Sequence, residues 1–160
     1  MTRQDVKEKL LRFNRIFKDT DQTYHEVAHF FGLSDSAFWI LYLLRESDRS
    51  YTQSSVCEEI SLSRQTVHSA LKNLQKEGYI VLKSEEGNRK NKRLCLTEQG
   101  LKLAEKTVDR MLEAELDALE QFSETELEQF LTLYAKYGQC FHREAERSLF
   151  SAGDRAGGAV

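Results

Sequence analysis

The residues best suited to chemistry in this 160-residue sequence are cations gathered in one stretch. From Ser63 to Arg93 there are 8 basic and 3 acidic side chains, a net charge of +5, although the whole chain carries −3. Clustered lysine and arginine side chains bind phosphate groups, and a basic block within an acidic protein is the electrostatic footprint of a nucleic-acid-binding surface. The charge distribution therefore favours a polyanion as the partner.

The first half of this stretch has the spacing of an amphipathic helix. Its apolar residues recur at relative positions 0, 3, 4 and 7, as Val67, Ala70, Leu71 and Leu74, and this spacing puts them on one face. The polar residues that remain available for contacts are Ser63, Arg64, Gln65, Thr66, His68, Ser69 and Lys72. The major groove of DNA accepts one α-helix, and arginine and glutamine can read its donors and acceptors. The pattern predicts a DNA-reading helix, with a solvated helix of a protein-interaction module as the alternative.

The second half of the stretch predicts a basic β-hairpin. Gly78 suits the left-handed end of a helix, and the aromatic and β-branched residues of 79–82 indicate a strand. Turn residues at 84–88 and an alternating run at 93–97 complete the hairpin. Its cations are Lys83, Arg89, Lys90, Lys92 and Arg93. Beside a reading helix they would reach the DNA backbone or minor groove; the alternative is a solubilising charge cluster.

Helical periodicity and capping residues predict the elements that position this block. Helices are expected over about 5–30, 36–44, 53–60 and 97–121, and a last helix begins at the capping box 123–126. The second of these is apolar on nearly every side, which places it in a core. Residues 151–160 are mostly small and can bury little surface, and we expect them to form a disordered tail.

Three segments of this sequence resemble the MarR family of bacterial regulators. They are Ser63-Arg64-Gln65-Thr66-Val67, residues 74–80 and Leu96-Thr97-Glu98-Gln99-Gly100, and the resemblance extends over about residues 5–150. It implies a mostly helical α+β fold, with a winged helix-turn-helix at 33–100 between dimerisation helices at 1–32 and 101–150. It also implies a repressor that binds a pseudo-palindromic site in double-stranded DNA as a homodimer.

The wing departs from the family pattern at one position. An aspartate commonly precedes the key arginine of the wing in the family, and here Asn88 stands before Arg89. We expect Arg89 to enter the minor groove, although Lys90 and Lys92 follow closely.

The resemblance also assigns an interface and a ligand pocket. The residues expected at the dimer interface are apolar residues of the terminal helices: Leu10, Phe13, Phe17, Leu131, Tyr134, Tyr137 and Phe141. An intramolecular helical core is the alternative. Aromatic residues where the first two helices meet would line a pocket for a small aromatic or lipophilic effector: Phe30, Phe31, Phe38, Trp39 and Tyr42. Their alternative role is simple core packing.

Other classes of function find little support in the sequence. We expect no enzymatic activity, because no phosphate-binding glycine loop, nucleophile elbow or metalloprotease motif is present. We expect no metal or cofactor, since His25 and His29 are too few ligands for a closed zinc site. A metal or redox sensor built on the same scaffold stays an alternative. The three cysteines and the lack of a signal or membrane segment favour a reducing cytoplasm.

Overall fold

A computed structural model of the chain confirms a mostly helical α+β fold with one small antiparallel sheet. It describes residues 1–46, 49–85 and 88–150; the side chains at 85, 88–91 and 150, and the predicted tail 151–160, lie outside the description. The elements in chain order are α1 (Arg3–Phe30), α2 (Asp35–Glu46), β1 (Tyr51–Thr52), α3 (Gln53–Glu59), α4 (Arg64–Lys76), β2 (Ile80–Glu85), β3 (Asn88–Leu96), α5 (Glu98–Lys106), α6 (Val108–Leu119) and α7 (Glu124–Ala145), with a π-helical turn at Glu146–Phe150.

The chain forms two compact units, one of residues 1–113 and one that begins at residue 114. The first unit contains α1 to α5 with the sheet, and the second contains α7. The segment boundaries predicted at residues 32 and 100 stay a prediction.

Hydroxyl side chains start many of the described helices, and the sequence predicts three of these caps: Thr52, Thr97 and Ser123. At each of these starts the side chain accepts a hydrogen bond from a backbone N–H of the first turn, which satisfies a group that the helix itself leaves open. The capping residues are Thr2, Thr52, Ser63, Thr97 and Ser123. The backbone after α1 and after α4 adopts a positive φ, 70° at Gly32 and 77° at Gly78. Both positions are glycines because a positive φ strains residues that carry a Cβ atom.

Two local predictions were wrong or incomplete. The helix predicted over 97–121 is broken at Thr107, whose φ and ψ of −120° and −76° are not helical. The buried Thr107 hydroxyl donates to the Leu103 carbonyl oxygen at 2.8 Å, a local bond of the kind that competes with regular helix geometry. Strand β1 was not predicted; there Tyr51 pairs with Leu94 and adds a third strand to the hairpin.

The core of the first unit lies where α2 packs against α4. Phe38, Ile40 and Leu41 of α2 are fully buried, and so is Val67 of α4. Ile80 of β2 and Val108 of α6 close the same core. The apolar helix α2 is therefore central, in agreement with its composition.

An ion pair joins α2 to the start of α6. Arg45 donates from Nε and Nη2 to the two carboxylate oxygens of Asp109, at 2.7 and 2.6 Å. These bonds lower the pKa of Asp109 below its ordinary value and raise that of Arg45. Such a two-bond geometry holds an arginine and a carboxylate more firmly than a single contact does.

The ion pair predicts how stability depends on pH. Because the folded-state pKa of Asp109 is lowered, its contribution is present above the unfolded pKa of about 3.9 and is lost as pH falls through the folded value. Asp109→Asn should therefore reduce the free energy of unfolding at pH 7, and the gap to wild type should narrow below about pH 4. Urea unfolding of both proteins across this range measures the gap. A gap that is constant down to pH 3 would contradict the role of the Asp109 charge.

Candidate nucleic-acid interface

Helices α3 and α4 form a helix-turn-helix with a well-defined start to each helix. At α3, Thr52 Oγ1 accepts from the Ser55 N–H at 3.2 Å, and the Thr52 N–H donates to Ser55 Oγ at 2.8 Å. At α4, Ser63 Oγ accepts from the Thr66 N–H at 3.1 Å. These bonds fix where each of the two helices begins.

The two sides of α4 differ as the sequence predicts. Val67, Ala70, Leu71 and Leu74 are at most 5% exposed. The residues predicted to contact DNA from this helix are all exposed: Ser63, Arg64, Gln65, Thr66, His68, Ser69 and Lys72. The structure thus presents arginine, glutamine, histidine and lysine side chains on one helix whose opposite side is anchored. Their contacts with DNA stay a prediction.

The small hydroxyl residues at the start of α4 have a structural role. The Ser63 and Thr66 hydroxyl oxygens lie 2.7 Å apart, and Ser63 also caps the helix. The sequence predicts that both contact DNA. Both hydroxyl groups already form hydrogen bonds at the start of α4. A contact with DNA would therefore use hydroxyl groups that also take part in the helix cap.

The hairpin after α4 presents cations at facing positions. In the pairing of β2 with β3, Lys83 lies opposite Arg93 and Ser84 lies opposite Lys92. The side chains of Lys83, Lys92 and Arg93 are exposed. Arg89 and Lys90 belong to the backbone of β3, but their side chains lie outside the description. The described part of the wing therefore supplies three exposed cations.

A junction around Thr97 joins the wing to the end of α4. Its hydroxyl donates to the Gly78 carbonyl oxygen at 2.6 Å and accepts from the Gly100 N–H at 3.0 Å. The Thr97 N–H donates to the Tyr79 carbonyl oxygen at 3.0 Å. One threonine thus links the residues that follow α4 to the residues that follow β3. The sequence predicts Thr97 only as a helix cap within a family segment, and this link was not predicted.

The aromatic residues predicted to line a pocket have different environments. Trp39 and Tyr42 are half-buried and line a surface cleft. Phe38 has no exposed surface and belongs to the core, so we correct its assignment to the pocket. Phe30 is 81% exposed and packs edge-on against Phe31, above whose ring Arg110 lies at 5.9 Å.

The histidines and cysteines are not gathered into a site. His25 Nδ1 lies 2.9 Å from Asp35 Oδ1, and its ring centroid is 5.2 Å from that of His29. Within residues 1–46, 49–85 and 88–150, no three histidine, cysteine or acidic side chains are placed to hold a metal ion. Cys57, Cys95 and Cys140 are half-buried thiols.

Apolar side chains of the terminal helices are exposed in the single chain. On α1, Leu10 and Phe17 are 44% and 56% exposed. On α7 the exposed residues are Leu131, Tyr134, Tyr137 and Phe141. Phe13 stacks on Phe17 with a centroid distance of 6.5 Å.

In the described part of the chain, no single helix is both long and apolar enough to cross a membrane, although α1 and α2 meet that criterion jointly across a 95° bend.

Comparison with known sequences finds similarity to transcriptional regulators of one family. The model of the MarR family matches residues 31–90. The chain is also 30% identical over 108 residues to the HTH-type transcriptional regulator PecS of Dickeya dadantii (strain 3937). That match covers 66% of this chain and 65% of the relative's length.

Solved structures share the fold over most of their length. A MarR family regulator from Neisseria meningitidis, NMB1585, superposes with a TM-score of 0.70 at 23% identity, covering 92% of this chain and 99% of its own. A MarR family transcriptional regulator from Listeria monocytogenes complexed with 26mer DNA gives a TM-score of 0.66 at 24% identity, over 84% of this chain and 89% of its own. These similarities confirm the winged-helix fold.

The Thr97 junction predicts a strong effect of one methyl group. A Cβ atom at Gly100 would lie 1.9 Å from the Tyr79 carbonyl oxygen, so Gly100→Ala forces the backbone apart and should lower the free energy of unfolding by about 3 kcal/mol. The neighbouring exposed residue Gln99 offers a control, since Gln99→Ala should change stability by no more than about 0.5 kcal/mol. Chemical denaturation compares the two variants. Equal stabilities would show that the close approach does not constrain the junction.

Proposed function

Because this chain belongs to the MarR family, we propose that it is a transcriptional regulator that binds double-stranded DNA. We infer a homodimer on a pseudo-palindromic operator, acting as a ligand-responsive repressor. The observation that carries the proposal is the division of α4 into a buried apolar side and an exposed side with Arg64, Gln65 and Lys72.

The exposed side of α4 fits the chemistry of the major groove. An arginine can bond two acceptors of guanine, and a glutamine can bond the donor and acceptor of adenine. Arg64 and Gln65 stand in the first turn of α4, the part of a recognition helix that reaches base edges in helix-turn-helix proteins. We assign base reading to these two residues, with His68 and Ser69 one turn further along.

The wing fits the DNA backbone beside the helix. Lys83, Lys92 and Arg93 lie on neighbouring strands with exposed side chains, and lysine and arginine account for much of the phosphate contact in protein–DNA complexes. We propose that Arg89 and Lys90, nearer the tip, extend the contact toward the minor groove.

Homodimer formation accounts for the apolar side chains that the terminal helices expose. A helix-turn-helix dimer binds two half-sites and thereby matches the two-fold symmetry of its operator. Phe17 of α1 and Phe141 of α7 are both more than half exposed in the single chain, and a partner subunit would remove them from water. Trp39 and Tyr42 support the additional proposal of a small aromatic or lipophilic effector, because they line a surface cleft.

Base reading by α4 predicts that specificity and affinity can be separated. Operator sequences would first be selected from a random duplex pool with the wild-type protein. Arg64→Ala and Gln65→Ala should each reduce the preference for the selected site over random DNA by about 1–3 kcal/mol. Lys92→Ala serves as the matched control, since a phosphate contact contributes alike on every sequence and its loss should make the salt dependence about one unit shallower.

Fluorescence anisotropy on both DNAs at several salt concentrations gives these quantities. If Arg64→Ala and Gln65→Ala both keep the wild-type preference, α4 does not read bases. If the protein shows no salt-dependent binding to DNA at all, a protein-interaction module becomes the better account.

The exposed apolar side of α7 predicts which substitutions separate the subunits. Phe141→Glu places a charge where we expect an apolar contact, and it should weaken dimerisation at least about tenfold, since burial of a phenylalanine contributes about 1.5–3 kcal/mol. Thr132 lies nine residues earlier, about half a turn around the helix, so Thr132→Glu should leave dimerisation unchanged. Analytical ultracentrifugation at micromolar concentration compares them. A wild-type protein that sediments as a monomer would refute the homodimer.

A further inference from the structure

A surface cleft beside α2 has the size of a small-molecule site. Its volume is about 580 Å³, and α2 forms one wall through Trp39, Tyr42, Leu43 and Glu46. Asp21 of α1 and the residues 59–62 that end α3 form the other walls. A second cavity of about 260 Å³ shares Asp21 and Trp39 with it. Ligand pockets in proteins commonly measure about 300–1,000 Å³ and have mostly apolar walls.

The charged groups of this cleft all have one sign. Asp21, Glu46 and Glu59 line it, and none of the described residues that line it is a lysine or an arginine. Glu59 has a partial counter-charge, because its Oε1 lies 3.9 Å from Nη1 of Arg49. Among residues 1–46, 49–85 and 88–150, no ion pair is formed by Asp21 or Glu46. The cleft therefore has an aromatic and apolar floor and two carboxylates that form no ion pair with the described residues.

The aromatic floor of the cleft also favours a positively charged ligand. Trp39 has its ring centroid 5.4 Å from that of Tyr42 and 4.9 Å from that of Tyr24, so aromatic rings of three residues meet beside Asp21. The faces of aromatic rings attract cations, and tryptophan does so most strongly. An anionic ligand would meet both the carboxylates and the ring faces unfavourably. A bare metal ion would find too few ligands here and an apolar floor.

We propose that this cleft binds an organic cation with an aromatic or apolar body. The positive charge lies between Asp21 and Glu46, and the apolar body packs on Trp39, Tyr42 and Leu43. The binding site itself follows from these walls alone. Its use as the effector site of a DNA-binding regulator rests on the proposed function.

The experiment uses a probe pair of like shape and opposite charge. Tetraphenylphosphonium and tetraphenylborate present the same four phenyl rings around a positive and a negative centre. Trp39 is the only tryptophan in the sequence and lies in the cleft wall, so its fluorescence reports occupancy directly. We expect saturable quenching by tetraphenylphosphonium, with an affinity at least about tenfold above that of tetraphenylborate, as two attractive carboxylates require.

Substitutions that keep the shape of the side chains test the role of charge. Asp21→Asn and Glu46→Gln should each weaken binding of tetraphenylphosphonium about threefold to fivefold, the effect of one exposed ion pair. Asp19→Asn, two residues away on the same helix and outside the cleft lining, should leave it unchanged. Both target residues are exposed, so the variants are expected to fold, and circular dichroism verifies this.

Each result decides between the proposals. Equal affinity for the two probes, or wild-type affinity of the Asp21→Asn/Glu46→Gln double variant for tetraphenylphosphonium, overturns the cation site. Absence of saturable quenching also overturns it. Charge-selective binding by a protein that does not bind DNA supports the site and refutes the proposed function. DNA binding without charge-selective quenching supports the proposed function and refutes the cation site. Release of operator DNA by tetraphenylphosphonium, but not from the double variant, supports both.

Discussion

The burial of one side of α4 against α2 is the contact on which the rest of the first unit depends. Val67 and Leu71 of α4 and Phe38 and Leu41 of α2 lose essentially all contact with water there. Burial of each such side chain contributes about 1.5–3 kcal/mol, so α4 can rotate about its axis only at a large cost. The exposed polar residues are therefore held in one orientation by an apolar contact on the opposite side of the same helix.

Hydrogen bonds fix the start and the end of α4, which the apolar contact with α2 does not fix. Packing resists rotation of α4 but constrains its start and end less strictly. The Ser63 cap defines the first residue of the helix, and the Thr97 hydroxyl ties the backbone after α4 to the backbone after β3. Since the wing begins and ends at this junction, these bonds tie the base of the wing to the end of α4. Short hydroxyl side chains thus add polar links between two elements that also share the apolar core through Ile80.

The sequence predicted the features that depend on local physics. Helix starts at Thr52, Thr97 and Ser123 follow from hydroxyl caps, and the two sides of α4 follow from helical periodicity. The break at Thr107 was missed because the apolar pattern of α5 continues into α6 with compatible spacing, and only the buried environment of that threonine shows the interruption.

Features that depend on contacts distant in sequence were harder to predict. β1 consists of only two residues, and its pairing partner lies more than forty positions further on, at Leu94. Phe38 and Trp39 are adjacent aromatic residues that periodicity alone did not separate, yet the first is in the core and the second lines the cleft. The carboxylates of that cleft come from α1, α2 and the end of α3. No single segment of the sequence therefore predicts that they lie together.

The ion pair between Arg45 and Asp109 has a consequence for the nascent chain. Its partners are separated by 64 positions, and the segment between them contains α3, α4 and the whole sheet. A ribosome adds about 5–20 residues per second, so α2 emerges several seconds before the start of α6 that completes its surroundings. During that interval Phe38, Ile40 and Leu41 have no finished core to enter. The helix most buried in the native protein is thus the segment most in need of protection from aggregation while the chain is still being made.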